Sequence, residues 1–321
     1  MKVFANALEM IGNTPMVRVN HLDTGPCELY LKLETQNPGA SIKDRIAVSM
    51  IAAAEAEGKI KPGDTLIEAT AGNTGLGLAL VAAQKGYKLI IVLPDKMSRE
   101  KLYNLRALGA EVIETRSDVQ KGHPEYYQDM AERISKERGA FYINQFENPA
   151  NVKAHYETTA PEMWQQMEGK LDAFVCGVGS GGTLTGVGRY LRKQNPNVDL
   201  VLADPDGSIL APLINEGKEV EAGSWRIEGI GEDFIPVICD IALAGKAYSI
   251  SDKESFAVAR EVLLKEGIMV GSSSGTLIAA ALRYCREQTE PKRVVTLACD
   301  TGCRYLSKFF NDEWLAAQDL D

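Results

Sequence analysis

The stretch TLIEATAGNTGLGLALVAAQKGYKLIIVLP, residues 65–94, decides the fold class of this chain. An apolar run of strand length leads through a glycine-containing turn into a helical segment, and a second apolar run follows at 88–94. Parallel strands need a crossover connection, usually a helix, so this order predicts a βαβ unit. Both runs are mostly apolar rather than alternating, which is typical of strands buried on both faces of a parallel sheet.

The same order of strand, turn and helix repeats along much of the chain. Further strands are predicted at 110–115, 171–177, 199–204 and 293–299. Helices should end at glycines, which accept the left-handed conformation, and the candidates are Gly58, Gly86, Gly109 and Gly267. Ser251 and Glu254 have capping-box spacing and predict the start of a helix that runs to about Glu266. The sequence therefore predicts an α/β protein with three layers, α/β/α, and mostly parallel sheets.

The bulk composition sets the size and the class of the protein. At 321 residues and 35.0 kDa, with 45% hydrophobic and 25% charged residues, the chain can form two globular lobes. A net charge of -9 argues against a nucleic-acid partner. The chain contains no apolar stretch long enough for a membrane span and no recognisable leader, so we expect a cytoplasmic protein without a membrane partner.

Cysteines and histidines do not form a metal-binding pattern. The six cysteines contain no Cys-x-x-Cys pair, and the three histidines share no ligand spacing. We therefore expect reduced thiols and no metal site.

Lys43 lies within GASIKDR, residues 39–45, at the start of a helical segment. The positive end of the helix dipole opposes the charge of the lysine and favours the neutral amine, which can form an imine with an aldehyde. A solvated lysine at a frayed helix start is the structural alternative.

The turn TAGNTG, residues 70–75, joins a predicted strand to a predicted helix. Its hydroxyl and amide side chains and the first helical amides can donate to an anion such as an amino-acid carboxylate. A strand-to-helix turn rich in capping residues is the alternative.

A second glycine loop, GVGSGGT at residues 177–183, also follows a strand and opens a helix, and its amides can hold a phosphate. The loop satisfies G-x-G-x-x-G, with Asp204 at the end of the next strand, so an NAD-dependent dehydrogenase is an alternative. That alternative gives Lys43 no role. In GSSSG, residues 271–275, a hydroxyl can hydrogen-bond a ring nitrogen, although this segment taken alone favours a serine-rich helix cap.

These residues belong to motifs that together resemble the fold-type II pyridoxal-phosphate enzymes of the cystathionine β-synthase and cysteine synthase family, whose fold is that of tryptophan synthase β. The motifs run in order through nearly the whole chain: IGNTPMVRV (11–19), NPGASIKDR (37–45), EATAGNTG (68–75), VLPDKMSREK (92–101), LRALGAE (105–111), AHYETTAPE (154–162) and GVGSGGTLTG (177–186).

The resemblance implies pyridoxal 5′-phosphate as cofactor and assigns roles residue by residue. Lys43 matches the Schiff-base lysine. The substrate amine displaces this lysine from the cofactor, and the freed lysine moves protons at Cα. Cofactor-binding residues would be Lys43, Asn73, Gly179, Ser180, Gly181, Gly182, Thr183 and Ser273. Substrate-binding residues would be Thr70, Ala71, Gly72, Asn73, Thr74, Gln145 and Gly229. Ser273 would face the pyridine nitrogen as a neutral partner, which favours β-elimination over transamination.

The resemblance also implies a homodimer with two domains per chain. The larger, cofactor-binding domain would comprise 1–40 and 146–321, and the smaller, mobile substrate-loop domain would comprise 41–145. Ala71 stands where many family members carry serine, so the contribution of that hydroxyl is absent here. We expect no haem segment and no regulatory domain pair.

Three segments, 204–212, 228–236 and 308–315, favour cystathionine β-synthase within the family. The implied reaction joins L-serine and L-homocysteine to L-cystathionine and water through an aminoacrylate intermediate. Protonation of the leaving hydroxyl would involve Lys43 or a group near Glu232 and Asp233. The alternative is a cysteine synthase that converts O-acetylserine or O-phosphoserine and sulfide to L-cysteine. A non-catalytic amino-acid-binding protein is a third interpretation.

Overall fold

A computed structural model describes residues 3–70, 72–95 and 97–320. The strands in these ranges are β1 Met16–Arg18, β2 Glu28–Leu33, β3 Thr65–Ala69, β4 Lys88–Pro94, β5 Glu111–Thr115, β6 Phe141–Tyr142, β7 Ala173–Cys176, β8 Asp199–Pro205, β9 Lys246–Ile250 and β10 Arg293–Ala298. The α-helices are α1 Lys43–Ala56, α2 Asn73–Lys85, α3 Arg99–Ala107, α4 Tyr127–Arg138, α5 Pro149–Ala154, α6 Ala160–Gln166, α7 Gly182–Gln194, α8 Leu210–Glu216, α9 Asp252–Glu266, α10 Ser272–Arg286 and α11 Asp312–Ala316.

The chain divides into two compact units. The first comprises Met1–Ile11 and Asn37–Asn151, and the second comprises Gly12–Gln36 and Val152–Asp321. In the first unit a 3₁₀ turn at Ala7–Met10 contacts α2, which explains why the N-terminal segment groups with this unit.

The first unit is built on a parallel sheet of four strands in the order β5-β4-β3-β6. Helices α1 and α2 pack against each other, and α4 lies on β3 and β4. One core cluster joins Ile67 and Ile90 of the sheet to Ala131 and Ile134 of α4. The sheet therefore fixes the carboxyl end of β3, from which the 70–75 turn departs.

The second unit contains a sheet of six strands in the order β1-β2-β10-β7-β8-β9. Only β1 runs antiparallel to its neighbour, and the other pairs are parallel. Helix α10 packs on β8, β9 and β10, and its first eleven residues are all buried. The predicted α/β/α layers with mostly parallel sheets are confirmed.

Helix ends follow the predicted glycines. Gly58, Gly86, Gly109 and Gly267 all have positive φ angles at or just after the ends of their helices. Ser251 caps α9 by accepting a hydrogen bond from the Glu254 amide. The reciprocal half of a capping box is replaced, because the Glu254 carboxylate binds Arg283 instead.

The six strands predicted from the sequence are all present, with ends shifted by at most two residues. Strands β1, β2, β6 and β9 were not predicted. In β2, Lys32 is fully buried, and its ammonium group lies 2.8 Å from the Glu162 carboxylate and donates to the Thr14 carbonyl at 2.7 Å. A charged residue in a strand interior is tolerated here because distant residues neutralise it.

The described ranges contain neither a candidate membrane span nor a candidate metal cluster. No helix there is long and apolar enough to cross a membrane. No group of three or more His, Cys, Asp or Glu residues is arranged to hold a metal ion in the same ranges.

Candidate cofactor and substrate site

Lys43 is the first residue of α1, and its side chain is partly buried. Just before it, Ala40 has a φ of 55°, an unusual left-handed conformation for alanine. Asp44 reaches back and accepts a hydrogen bond from the Gly39 amide at 2.5 Å, which holds this tight turn. A backbone maintained against local preference is frequently found at functional sites, and here it immediately precedes Lys43.

The 70–75 turn lies between the end of β3 and the first residue of α2. Gly72 has a φ of 119°, and its amide donates to the Thr70 hydroxyl at 3.1 Å. A Cβ on Gly72 would approach Cδ of the buried Lys101 to 2.6 Å, so only glycine fits there. The first amides of α2 have no acceptor within the helix. Ala71 lies outside the described residues.

Gln145 lies beside this turn although it is 71 residues from Thr74 in the sequence. Its carbonyl oxygen accepts from the Thr74 hydroxyl at 2.7 Å, while its amide nitrogen donates to the Ala69 carbonyl at 3.2 Å. Asn151 donates to the Gln145 backbone carbonyl at 2.8 Å. The turn therefore contains two hydrogen-bonded pairs, Gly72 with Thr70 and Thr74 with Gln145, and Asn73 is the first residue of the adjoining helix.

Glu68 also contacts Gln145, although sequence reasoning gave it no role. It is fully buried in β3 and accepts backbone hydrogen bonds from Ala69 at 3.1 Å and Gln145 at 3.3 Å. Burial raises the pKa of Glu68 to about 8, and the backbone donors oppose this rise. The signal available in the sequence was a glutamate within a mostly apolar strand, directly before the turn.

The second glycine loop lies between β7 and α7, in the second unit. Gly181 precedes the helix with a φ of 86°, and no side chain of the described residues caps the helix there. A Cβ on Gly181 would lie 2.4 Å from Cβ of Cys239, whose thiol pKa is raised to about 12 by burial. The loop thus presents helix-start amides beside a neutral thiol, which suits an anion such as phosphate.

Gly179 packs directly on the segment that contains Gly229. A Cβ on Gly179 would approach the Gly229 carbonyl oxygen to 2.5 Å, and the Gly231 amide donates to the Val178 carbonyl at 2.9 Å. Glu232 Oε1 lies 3.9 Å from the same Cβ position. The structure therefore brings Gly179 and Gly229 together and adds a carboxylate beside them.

Ser180 is buried within the glycine loop, and Thr183 follows Gly182 as the second residue of α7. The Thr183 hydroxyl lies 3.3 Å from Nε2 of the buried His155. Sequence reasoning also gave His155 no role. Its motif contains no local signal for the contact with Thr183, which is known only from the fold.

Ser273 is buried near the start of α10, between two serines that are already engaged. Ser272 accepts from the Glu228 amide at 3.2 Å, and Ser274 accepts from the Cys299 amide at 2.9 Å. Within the described part of the chain, the Ser273 hydroxyl makes no hydrogen bond. A buried hydroxyl without a protein partner suits an external acceptor such as a ring nitrogen.

These groups fit pyridoxal phosphate in their chemistry. In the second unit, the loop amides and hydroxyls are of a kind that suits a phosphate, and the Ser273 hydroxyl is of a kind that suits a ring nitrogen. In the first unit, the Lys43 amine is of a kind that suits an aldehyde. Asp204 fits the dehydrogenase alternative poorly. It is fully buried in β8 and accepts from the Ala211 amide at 2.8 Å, so it is not exposed to a ribose.

Comparisons with known proteins agree with this chemistry. Residues 7–300 match the family model described as pyridoxal-phosphate dependent enzyme. The chain is 45% identical to cystathionine β-synthase of Mus musculus over 318 residues, which cover 98% of this chain and 56% of that protein. It is 44% identical to cysteine synthase of Staphylococcus aureus over 305 residues, which cover 94% of this chain and 95% of that protein. The chain thus spans little more than half the length of the mouse protein.

Solved structures of two enzymes are similar to this chain over nearly its whole length. A hydrogen sulfide-producing enzyme from Fusobacterium nucleatum superposes with a TM-score of 0.87 at 40% identity, covering 95% of this chain and 100% of that one. O-ureido-L-serine synthase superposes with a TM-score of 0.89 at 35% identity, covering 98% and 100%. This chain belongs to the family of pyridoxal-phosphate-dependent enzymes that includes the cystathionine β-synthases and cysteine synthases.

Proposed function

We propose that this chain catalyses β-replacement on a serine-type amino acid, and that its preferred reaction joins L-serine and L-homocysteine to L-cystathionine and water. The observation that carries this preference is the carboxylate of Glu232, whose Oε1 lies 3.9 Å from a Cβ built on Gly179. Hydroxide is a poor leaving group and must be protonated as it departs, whereas acetate leaves readily. A carboxyl group beside the glycine loop supports the reaction that needs an acid.

The cofactor would be held by residues with complementary donors. Lys43 would bind it covalently and would move the proton at the substrate Cα. The amides and hydroxyls of residues 179–183 would hold its phosphate, and Asn73 would donate to its ring oxygen. Bound pyridoxal phosphate supplies an electron sink for the Cα carbon, and a neutral Ser273 beside the ring nitrogen limits that sink, which favours loss of the β-substituent.

The substrate carboxylate would bind to the 70–74 turn. The Thr74 hydroxyl and the Gln145 side chain already hydrogen-bond each other, so both are oriented before a substrate arrives. Gly229 would approach the substrate from its own loop, where its φ of 92° requires glycine. Ala71 lacks the hydroxyl that serine supplies at this position in many family members.

A cysteine synthase that uses O-acetylserine or O-phosphoserine and sulfide is the second candidate. The specific observation in its favour is similarity, since the chain is 44% identical to the staphylococcal cysteine synthase, about as much as to the mouse cystathionine β-synthase at 45%. The acid requirement separates the two candidates, because only serine has hydroxide as its leaving group.

Product analysis tests the proposal. Purified protein is given serine, O-acetylserine or O-phosphoserine, each with homocysteine or with sulfide, and the products are identified by mass spectrometry. We expect cystathionine from serine and homocysteine. Cysteine formed only from the activated donors and sulfide would instead support the cysteine synthase, and no product from any pair would contradict β-replacement.

Two variants test the acid. Glu232→Gln should lower turnover with serine by about 10²- to 10⁴-fold, the usual contribution of a general acid, and should change turnover with O-acetylserine much less. Asp233→Asn is the matched control, because Asp233 is the exposed neighbour. Equal loss with both donors in Glu232→Gln would show that Glu232 does not protonate the leaving group.

We also propose that the protein acts as a cytoplasmic homodimer on small-molecule amino-acid and thiol substrates. Sedimentation equilibrium of the purified chain tests the oligomeric state. A mass of about 70 kDa, twice the 35.0 kDa of one chain, is expected, and 35.0 kDa at assay concentrations would contradict the dimer.

A further inference from the structure

A line of three side chains runs from the interior of the second unit to the glycine loop. The Thr159 hydroxyl lies 2.9 Å from His155 Nδ1, and His155 Nε2 lies 3.3 Å from the Thr183 hydroxyl. His155 and Thr159 are buried, and Thr183 is partly buried near the start of α7. One imidazole therefore connects a buried hydroxyl to a hydroxyl of the loop.

The backbone around His155 is unusual. His155–Thr159 forms a single π-helical turn between α5 and α6, and such turns are rare and frequent at functional sites. Helix α7 packs closely on this turn at Gly186, where a Cβ would lie 2.5 Å from the Val152 carbonyl oxygen and 2.8 Å from His155 Cβ. This close packing fixes the imidazole relative to Thr183.

The line of hydrogen bonds has a direction, because a neutral imidazole has one donor and one acceptor nitrogen. If Nδ1–H donates to Thr159, the Thr183 hydroxyl must donate to Nε2, and its only proton is used. If Thr159 donates to Nδ1, then Nε2–H donates to Thr183. In the second arrangement the Thr183 proton is available to an acceptor outside the line.

We propose that His155 is a positioning residue that directs the Thr183 hydroxyl proton to the phosphate of bound pyridoxal phosphate. This inference rests on the proposed assignment of residues 179–183 to the phosphate. A phosphate dianion only accepts hydrogen bonds, so it selects the arrangement in which Thr159 donates to His155 and His155 donates to Thr183. Successive hydrogen bonds polarise one another, which makes the Thr183 hydroxyl a stronger donor.

Cofactor titration of the full chain, after removal of its cofactor with hydroxylamine, tests the relay. Thr183→Val should weaken binding of pyridoxal phosphate by about 10- to 100-fold, the effect of losing a hydrogen bond to a charged group. Thr159→Val keeps the size of the buried side chain and should weaken binding by about two- to tenfold. Neither variant should change the affinity for pyridoxal, which has no phosphate. In the Thr183→Val background, Thr159→Val should have no further effect.

The outcomes separate the relay from the assignment on which it rests. Unchanged pyridoxal-phosphate affinity in Thr183→Val would remove the phosphate assignment itself. If Thr183→Val weakens pyridoxal-phosphate binding and Thr159→Val leaves it unchanged, the phosphate assignment stands and the relay is overturned. Equal loss of affinity for pyridoxal would also overturn it, because that loss would be structural.

¹⁵N NMR on the wild-type holoenzyme gives a readout that needs no substitution at Thr159, His155 or Thr183. His155 should carry its proton on Nε2, with Nδ1 unprotonated. The exposed His21 and His123 are assigned by His21→Gln and His123→Gln. A proton on Nδ1 alone would overturn the relay.

Discussion

Gly179→Ala should separate the glycine loop from the segment that contains Gly229. The new Cβ would lie 2.5 Å from the Gly229 carbonyl oxygen, whereas ordinary contacts are about 3.5 Å, so the two backbones must move apart by about 1 Å. Overpacking of this kind costs roughly 1–3 kcal/mol of folding free energy. Because the loop amides would hold the cofactor phosphate, we expect binding of pyridoxal phosphate to weaken about 10- to 100-fold.

Cofactor titration and urea unfolding measure the two effects of Gly179→Ala. Gly245→Ala is the matched control, since nothing lies within 4 Å of a Cβ at Gly245, and its unfolding free energy should stay within about 0.5 kcal/mol of wild type. Wild-type cofactor affinity together with wild-type stability in Gly179→Ala would refute both the close approach and its link to the phosphate.

The other predictions concern a buried carboxyl, the substrate turn and a helix cap. Because the pKa of Glu68 is raised to about 8, the folded state holds a proton that the unfolded state releases, and stability falls as pH rises from about 4.5 to 8. In urea unfolding, the free energy of unfolding of Glu68→Gln minus that of wild type should therefore increase from pH 4.5 to about 8. A difference that does not change with pH would contradict the shifted pKa. Thr74→Val should raise the KM for the amino-acid substrate by roughly tenfold, because it removes a donor and releases Gln145; an unchanged KM would exclude Thr74 from the site. Ser251→Ala should cost about 1 kcal/mol of unfolding free energy without changing kinetics, and a changed KM would contradict a purely structural cap.

The strands that could be predicted are those whose signal is local. Runs such as 89–94 are apolar throughout and are followed by turn residues, so the sequence alone identifies them. Strand β2 contains Lys32, which reads as an exposed residue until Glu162, 130 residues away, is known to lie beside it. Strand β6 has only two residues and gives no periodic signal.

The same distinction applies to the candidate site. The turn at 70–75 and the loop at 177–183 were predicted as anion sites because glycines and hydroxyls after a strand are typical of an anion-binding helix start. Glu68 and His155 were not singled out from the sequence, because their contacts are with residues 77 and 28 positions away, Gln145 and Thr183. Such contacts are made by the fold and leave no local pattern.

Peptide mapping after borohydride reduction tests the central claim, that Lys43 holds the cofactor. Reduction of the protein as purified makes the link between lysine and cofactor permanent, and mass spectrometry of the digest then locates the added pyridoxyl group. We predict the group on the peptide that contains Lys43 and its loss in Lys43→Ala. A pyridoxyl group on another lysine, such as the buried Lys101 beside Gly72, would contradict the account.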